Sequence, residues 1–145
     1  MITVKQMLEE KGHQAWTISP DSTVYEALKI MAEKEVGALM VVEKGQVVGV
    51  ISERDYARKV VLKGKSSLET PVQEIMTTQV YFVNPECTAE ECMALMTEKR
   101  IRHLPVIQDN KLVGVISIGD VVKSVITAQK ITIEHLQNYI MGKYQ

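Results

Sequence analysis

Apolar and polar positions alternate along the chain with two periods, and each period occurs twice. Val24, Ala27, Leu28 and Met31 recur at i, i+3, i+4 and i+7, and Ala89, Cys92, Met93 and Met96 do the same. Each set paints one apolar stripe on a helix. Thr23-x-x-Glu26 and Thr88-x-x-Glu91 stand at the start of these segments as capping boxes, in which hydroxyl and carboxylate take up free backbone N–H groups. The period then changes. Ala38–Val42 and Leu104–Ile107 are continuous apolar runs that predict buried strands, and Val47–Ile51 and Leu112–Ile116 predict their return strands. The intervening Glu43-Lys44-Gly45-Gln46 and Gln108-Asp109-Asn110-Lys111 carry Gly or Asn where a tight hairpin needs positive φ. Gly49 and Gly114 interrupt the return strands at the same place, which marks a bulge or the close approach of another group. After Ser52 and Ser117 the pattern is helical again, to about Leu62 and Thr127. A short extended run, Trp16–Ile18 or Tyr81–Val83, precedes each copy and is closed by Pro20 or Pro85.

The chain is therefore duplicated. Shifted by 65 residues it aligns with itself from Ser19–Asp55 onto Asn84–Asp120 without a gap, and 14 of the 37 pairs are identical. Each copy reads β-α-β-β-α, too small to bury its own sheet face well. The expected fold class is α/β: tandem βαββα repeats packed about a pseudo-twofold axis, with clefts between the copies. The expected organisation is an N-terminal helical segment (1–15), repeat 1 (16–62), a polar linker (63–71), repeat 2 (72–127) and a C-terminal helix (128–145). In the N-terminal segment Val4, Met7 and Leu8 share one face. The C-terminal helix, from Thr132, puts Ile133, Leu136 and Ile140 on a stripe that suits either a lid on the core or a contact with a second subunit.

Composition narrows the picture. Residues are 46% hydrophobic with one Trp and one Phe, so the core is aliphatic. A net charge of −1 argues against nucleic acid, whose phosphates call for a basic excess. Small anions need only a few local cations. Cys87 and Cys92 have no companion ligands at metal spacing, and read as free thiols in a reducing compartment. No signal peptide and no membrane-length apolar run is visible, so a cytoplasmic location is expected.

Chemistry points to two Ser-x-x-Asp motifs, Ser52–Asp55 and Ser117–Asp120, each at a strand-to-helix junction. One reading is capping alone: Ser at the N-cap and Asp in the first turn suit a helix start. The other uses the same geometry for a ligand, with free N–H groups for an anion and a carboxylate for ribose hydroxyls. Gly64-Lys65-Ser66 lacks the upstream Gly of a phosphate-binding loop and sits in the linker. Three scattered histidines form no nucleophile–base set, so no enzymatic activity is expected.

The strings Gly49-Val50-Ile51-Ser52-Glu53-Arg54-Asp55, Arg100-Ile101-Arg102-His103-Leu104-Pro105-Val106 and Gly114-Val115-Ile116-Ser117-Ile118-Gly119-Asp120 resemble the signatures of CBS (cystathionine-β-synthase-type) domains. The resemblance runs from about Val4 to Ile126 and is to small stand-alone bacterial CBS pairs. It implies an adenine-nucleotide ligand (AMP, ADP, ATP or NAD) with ribose on Asp55 and Asp120, and with Ser52 and Ser117 beside the phosphate or sugar. It further implies that Val83, Asn84, Arg102 and His103 complete the Asp55 cleft, and that Ile18, Ser19, Val36, Gly37 and Ala38 complete the Asp120 cleft. Arg54, Arg102 and His103 make the Asp55 cleft the better phosphate holder, although His103 also suits a solvated or capping role. No metal is required. A homodimer and a separate effector protein are the implied partners; a structural or interaction module with empty clefts is the alternative.

Overall fold

The computed structural model describes residues 1–140. Its elements run α1 (Val4–Lys11), β1 (Thr17–Ile18), α2 (Val24–Lys34), β2 (Ala38–Glu43), β3 (Gln46–Ser52), α3 (Glu53–Tyr56) continuing into a π turn (Ala57–Val61), α4 (Val72–Ile75), α5 (Ala89–Lys99), β4 (His103–Gln108), β5 (Lys111–Ser117) and α6 (Ile118–Ile140). The duplicated α/β architecture is present. In each copy an antiparallel hairpin packs under the amphipathic helix that precedes it. Both hairpins turn on two residues of positive φ, Lys44-Gly45 (52° and 78°) and Asp109-Asn110 (52° and 61°).

The first sheet has three strands in the order β1-β2-β3, with β1 parallel to β2. In the second copy the equivalent outer strand is reduced to one parallel bridge, Val83 to Val106. Pro105 explains the loss. Its carbonyl accepts the Val83 N–H (3.1 Å), so its missing N–H would have faced the same edge.

Two cores form, and each is closed by the segment that precedes the other copy. Val4, Met7 and Leu8 of α1 join Ala89, Cys92, Met96, Leu104, Val106 and Ile116 in the second core. Val72 and Ile75 of α4 join Val24, Ala27, Met31, Leu39, Val41 and Ile51 in the first. The exchange is reciprocal down to the backbone. Val4 and Lys5 donate to Cys87 and Pro85 (2.8 and 2.9 Å), while Val72 and Gln73 donate to Ser22 and Pro20 (2.7 and 3.1 Å).

Gly49 and Gly114 are what the exchange requires. Each sits at a register shift in its hairpin, opposite Val41 or Val106. A Cβ on Gly49 would lie 2.7 Å from the Met76 sulfur, and one on Gly114 would lie 2.6 Å from Leu8 Cδ2. The glycines therefore mark both a bulge and a close approach.

Two helical expectations change. The helix after Ser52 has only four α residues before it widens; the π turn directs Val60, 1% exposed, into the core. After Ser117, by contrast, α6 runs unbroken for 23 residues to Ile140, so the separate C-terminal helix expected from Thr132 is the outer half of α6. No residue of α6 beyond Val121 is buried.

Candidate functional site

The motif Ser52-Glu53-Arg54-Asp55 is extended at Ser52 (φ −125°, ψ 164°) and helical from Glu53. Capping geometry is fully formed. The Asp55 N–H donates to Ser52 Oγ (3.1 Å), and Asp55 Oδ2 accepts from the Ser52 N–H (2.9 Å) and hydroxyl (3.1 Å). Asp55 Oδ1 faces Lys59 Nζ at 3.1 Å. A carboxylate has about four acceptor positions, so Oδ1 keeps capacity beyond these contacts.

Asp55 opens on a cavity of about 310 Å³ between the two copies. Its first wall is Gly37, Val50 and Ser52–Asp55; the facing wall is Thr77, Gln79–Tyr81 and Arg100–His103. The volume lies at the lower end of the range for small-molecule sites. Val50, Val80, Tyr81 and Ile101 give it apolar surface, and Arg54, Arg100 and Arg102 give it positive charge. Tyr81 is braced from behind by Lys99 Nζ, 5.1 Å from the ring centre. Trp16 and Lys34 repeat the arrangement at 4.4 Å in the first copy.

The structure brings Ser52, Arg54, Asp55, Arg102 and His103 together, as the sequence reading groups them. It also moves Gly37 from the Asp120 cleft into this one, where a Cβ would lie 3.3 Å from a Glu53 carboxylate oxygen and 3.6 Å from His103 Cε1. Val83 and Asn84 are not among the lining residues. Val83 is buried in the second core, and the Asn84 side-chain oxygen accepts the N–H groups of Glu86 and Cys87 in a turn. Their place is taken by Gln79, Val80 and Tyr81, a few residues upstream. A cleft wall must stand before the strand enters the core, and the apolar run Tyr81–Val83 marks that entry.

The Asp120 side differs. Asp120 Oδ2 accepts from the Ser117 N–H (2.8 Å) and also from Lys11 Nζ (2.6 Å), which donates in turn to the Val115 carbonyl (2.9 Å). Burial alone would raise the Asp120 pKa, but the Lys11 and Ser117 hydrogen bonds and the Lys11 charge hold it below the ordinary carboxylate value. Of the other residues assigned to this cleft, Ile18 is buried in the first core and Val36 packs against it. Ser19 accepts the Asp21 N–H in a turn, and Ala38 is buried at the foot of β2 opposite Ser52.

His103 stands between the two motifs. It lines the Asp55 cavity, yet it also feels Lys11 and Asp120. Burial first, then the charges of Lys11 and Arg102, push its pKa below the ordinary 6.5 despite the opposing pull of Asp120. Cys92 is a core residue whose thiol is pushed up to about 11 by burial and by Cys87 and Glu91 beside it. Among the described residues no group of three or more His, Cys, Asp or Glu side chains is arranged to hold a metal ion, and no helix is long and apolar enough to cross a membrane.

The CBS domain family model matches residues 4–62 and 72–127, the two copies together with the helices they exchange. The chain belongs to the CBS domain family. Among CBS proteins it is 42% identical to a mitochondrial CBS domain-containing protein of Arabidopsis thaliana, over 98% of this chain and 73% of that one. It is 54% identical to a candidate signal-transduction protein with CBS domains from Burkholderia ambifaria, covering 88% of this chain and 96% of that one at a TM-score of 0.85. A more distant CBS domain pair, solved with 5′-methylthioadenosine and S-adenosylmethionine, shares the fold at a TM-score of 0.78 and 24% identity, over 89% of this chain and 98% of that one.

Proposed function

We propose that this CBS pair is a regulatory module that binds an adenine nucleotide, AMP, ADP, ATP or NAD, in the Asp55 cleft and signals occupancy to a separate effector protein. One observation carries the reading: between the copies, a carboxylate with acceptor capacity to spare, apolar walls and cations line one cavity of ligand size. Asp55 Oδ1 accepts the ribose hydroxyls, Val50, Tyr81 and Ile101 hold the base, and Arg54 and Arg102 take the phosphate. Bidentate guanidinium–phosphate contacts fix both charge and orientation. That the same fold elsewhere holds two adenosine-containing compounds supports the ligand class. A ligand gripping both walls favours one packing of the copies, and an effector that distinguishes the packings reads the ligand. Nothing in this scheme calls for a reaction; the module is a binding protein of the cytoplasm.

Calorimetric titration with a nucleotide panel tests the reading. Wild type is expected to bind at least one adenine nucleotide, and Asp55→Ala is expected to weaken it tenfold or more. Equal affinity in the variant overturns the assignment. No thermal stabilisation by any nucleotide at millimolar concentration favours the alternative, an interaction module with empty clefts.

The partner surface of this reading is α6. Val122, Ile126, Ile133, Leu136 and Ile140 are 41–78% exposed. With Gln129 they follow the alternating three- and four-residue spacing of a coiled-coil seam. Such a seam needs a second helix of the same spacing, and a second copy of the chain supplies it. A homodimer is expected in light scattering, and Ile133→Asp is expected to give monomer; a monomeric wild type at micromolar concentration overturns this.

A further inference from the structure

Beside the Asp55 cavity lies a second recess of about 260 Å³, lined by Arg54, Met96, Thr97, Arg100, Ile101, Arg102 and Ile118. The two recesses share Arg54, Arg100, Ile101 and Arg102, so they adjoin along a row of arginines. Glu53 and Asp55 face the first recess; no carboxylate lines the second. Among the described residues none of the three arginines makes an ion pair, although such pairs form elsewhere on the surface. Three like charges gathered here with no ion pair repel one another, and an anion between them relieves that repulsion.

The duplication provides an internal control. Under the 65-residue shift Arg54, Arg100 and Arg102 correspond to Gly119, Glu35 and Gly37. Glu35 and Arg100 hold the same left-handed helix end, both at φ 55°. The backbone thus asks for no particular charge at that helix end, and the two sets of equivalent positions, each drawn from both copies, carry three cations on the Asp55 side and one anion on the Asp120 side.

We infer that the second recess holds the outer phosphates of a nucleoside di- or triphosphate. This rests on the proposed nucleotide site and names its ligand class. With the ribose on Asp55, the first phosphate meets Arg54 and Arg102, and the chain continues past Arg100. A monophosphate fills only the first recess and leaves Arg100 unsatisfied.

The test compares AMP, ADP, ATP and inorganic tripolyphosphate by calorimetry, without magnesium, on the full chain and on Arg100→Asn. Asn adopts the left-handed conformation readily, so the variant keeps the helix end. Wild type is expected to bind ATP at least tenfold more tightly than AMP, and Arg100→Asn to lose most of that preference. Equal affinity for AMP and ATP in wild type overturns the inference and leaves the nucleotide site standing, as does an equal loss for both nucleotides in the variant. Tripolyphosphate binding that depends on Arg100, with no nucleotide binding, overturns the nucleotide site and keeps the anion recess.

Discussion

The two Ser-x-x-Asp motifs share two backbone capping bonds and differ in their surroundings. Asp55 is met by Lys59, one turn ahead on its own helix, and opens on a cavity. Asp120 is met by Lys11, reaching from the N-terminal helix 109 residues away, which also ties down the Val115 carbonyl. Lys59 likewise donates to the Ile75 carbonyl of α4 (2.9 Å), so each lysine joins an Asp to an exchanged helix; what differs is that Asp55 lines a cavity, whereas Asp120 takes the shorter lysine contact. The two corners of the duplicated unit are thus alike in their caps and unlike in what they face.

The largest way to disturb this division is through the glycines that seat the exchanged helices. Gly114→Ala puts a methyl 2.6 and 3.0 Å from the two Leu8 methyl carbons, and Leu8 is 2% exposed with little room to move. A loss of about 2–3 kcal/mol is expected in urea denaturation. Gly49→Ala meets a more pliable Met76 sulfur at 2.7 Å but also the Thr77 carbonyl at 3.0 Å, and should cost about 1–2 kcal/mol. Shortening Leu8 in the Gly114→Ala background should cost less than in wild type, because the two side chains compete for one space. Additive losses would mean that Leu8 is not what Gly114 accommodates.

Next in size is the lysine comparison. Lys11→Met removes a short ion pair and orphans the Val115 carbonyl, a loss of about 1 kcal/mol after allowance for partial exposure. Lys59→Met likewise orphans a carbonyl, that of Ile75, and should cost slightly less, its ion pair being longer and its ammonium more exposed. If the roles are as described, Lys59→Met alters nucleotide affinity and Lys11→Met does not; the reverse result would exchange the two clefts.

The smallest expected effect is that of His103. Its pKa is lower folded than unfolded, so the unfolded chain takes up more protons in the window between the two values. Stability is therefore full above about 6.5 and falls as pH drops below it. His103→Gln should flatten that limb of a melting-temperature profile. An unchanged slope would assign the acid sensitivity elsewhere.

Much of this was legible in the sequence because it is local. Capping boxes, two-residue turns and the stripes of α2 and α5 each lie within a dozen residues, and the structure has them where the pattern puts them. The family signature placed Asp55, Arg102 and His103 in one cleft. The exchange of α1 and α4 was hidden for a specific reason: Val4, Met7 and Leu8 answer to Val72, Ile75 and Met76 at a spacing of 68, three residues off the repeat. An ungapped shift misses them. Lys11 was hidden with them, since nothing near it in sequence needs a cation. Gln79–Tyr81 could have been found by asking which residues precede the strand entry, whereas Val83 and Asn84 were carried over from a general pattern.

The exchanged helices also set an order on synthesis. The chain leaves the ribosome from its N-terminus at roughly 5–20 residues per second. Residues 4–11 emerge first, but their buried partners extend to Val121. For several seconds at least, Val4, Met7 and Leu8 have no native surface to cover, and the first core, which also needs Val72 and Ile75, closes before them. A ribosome stalled once residue 80 has cleared the exit tunnel should therefore carry a folded first copy with a solvent-exposed N-terminal segment, open to protease until the last strands arrive.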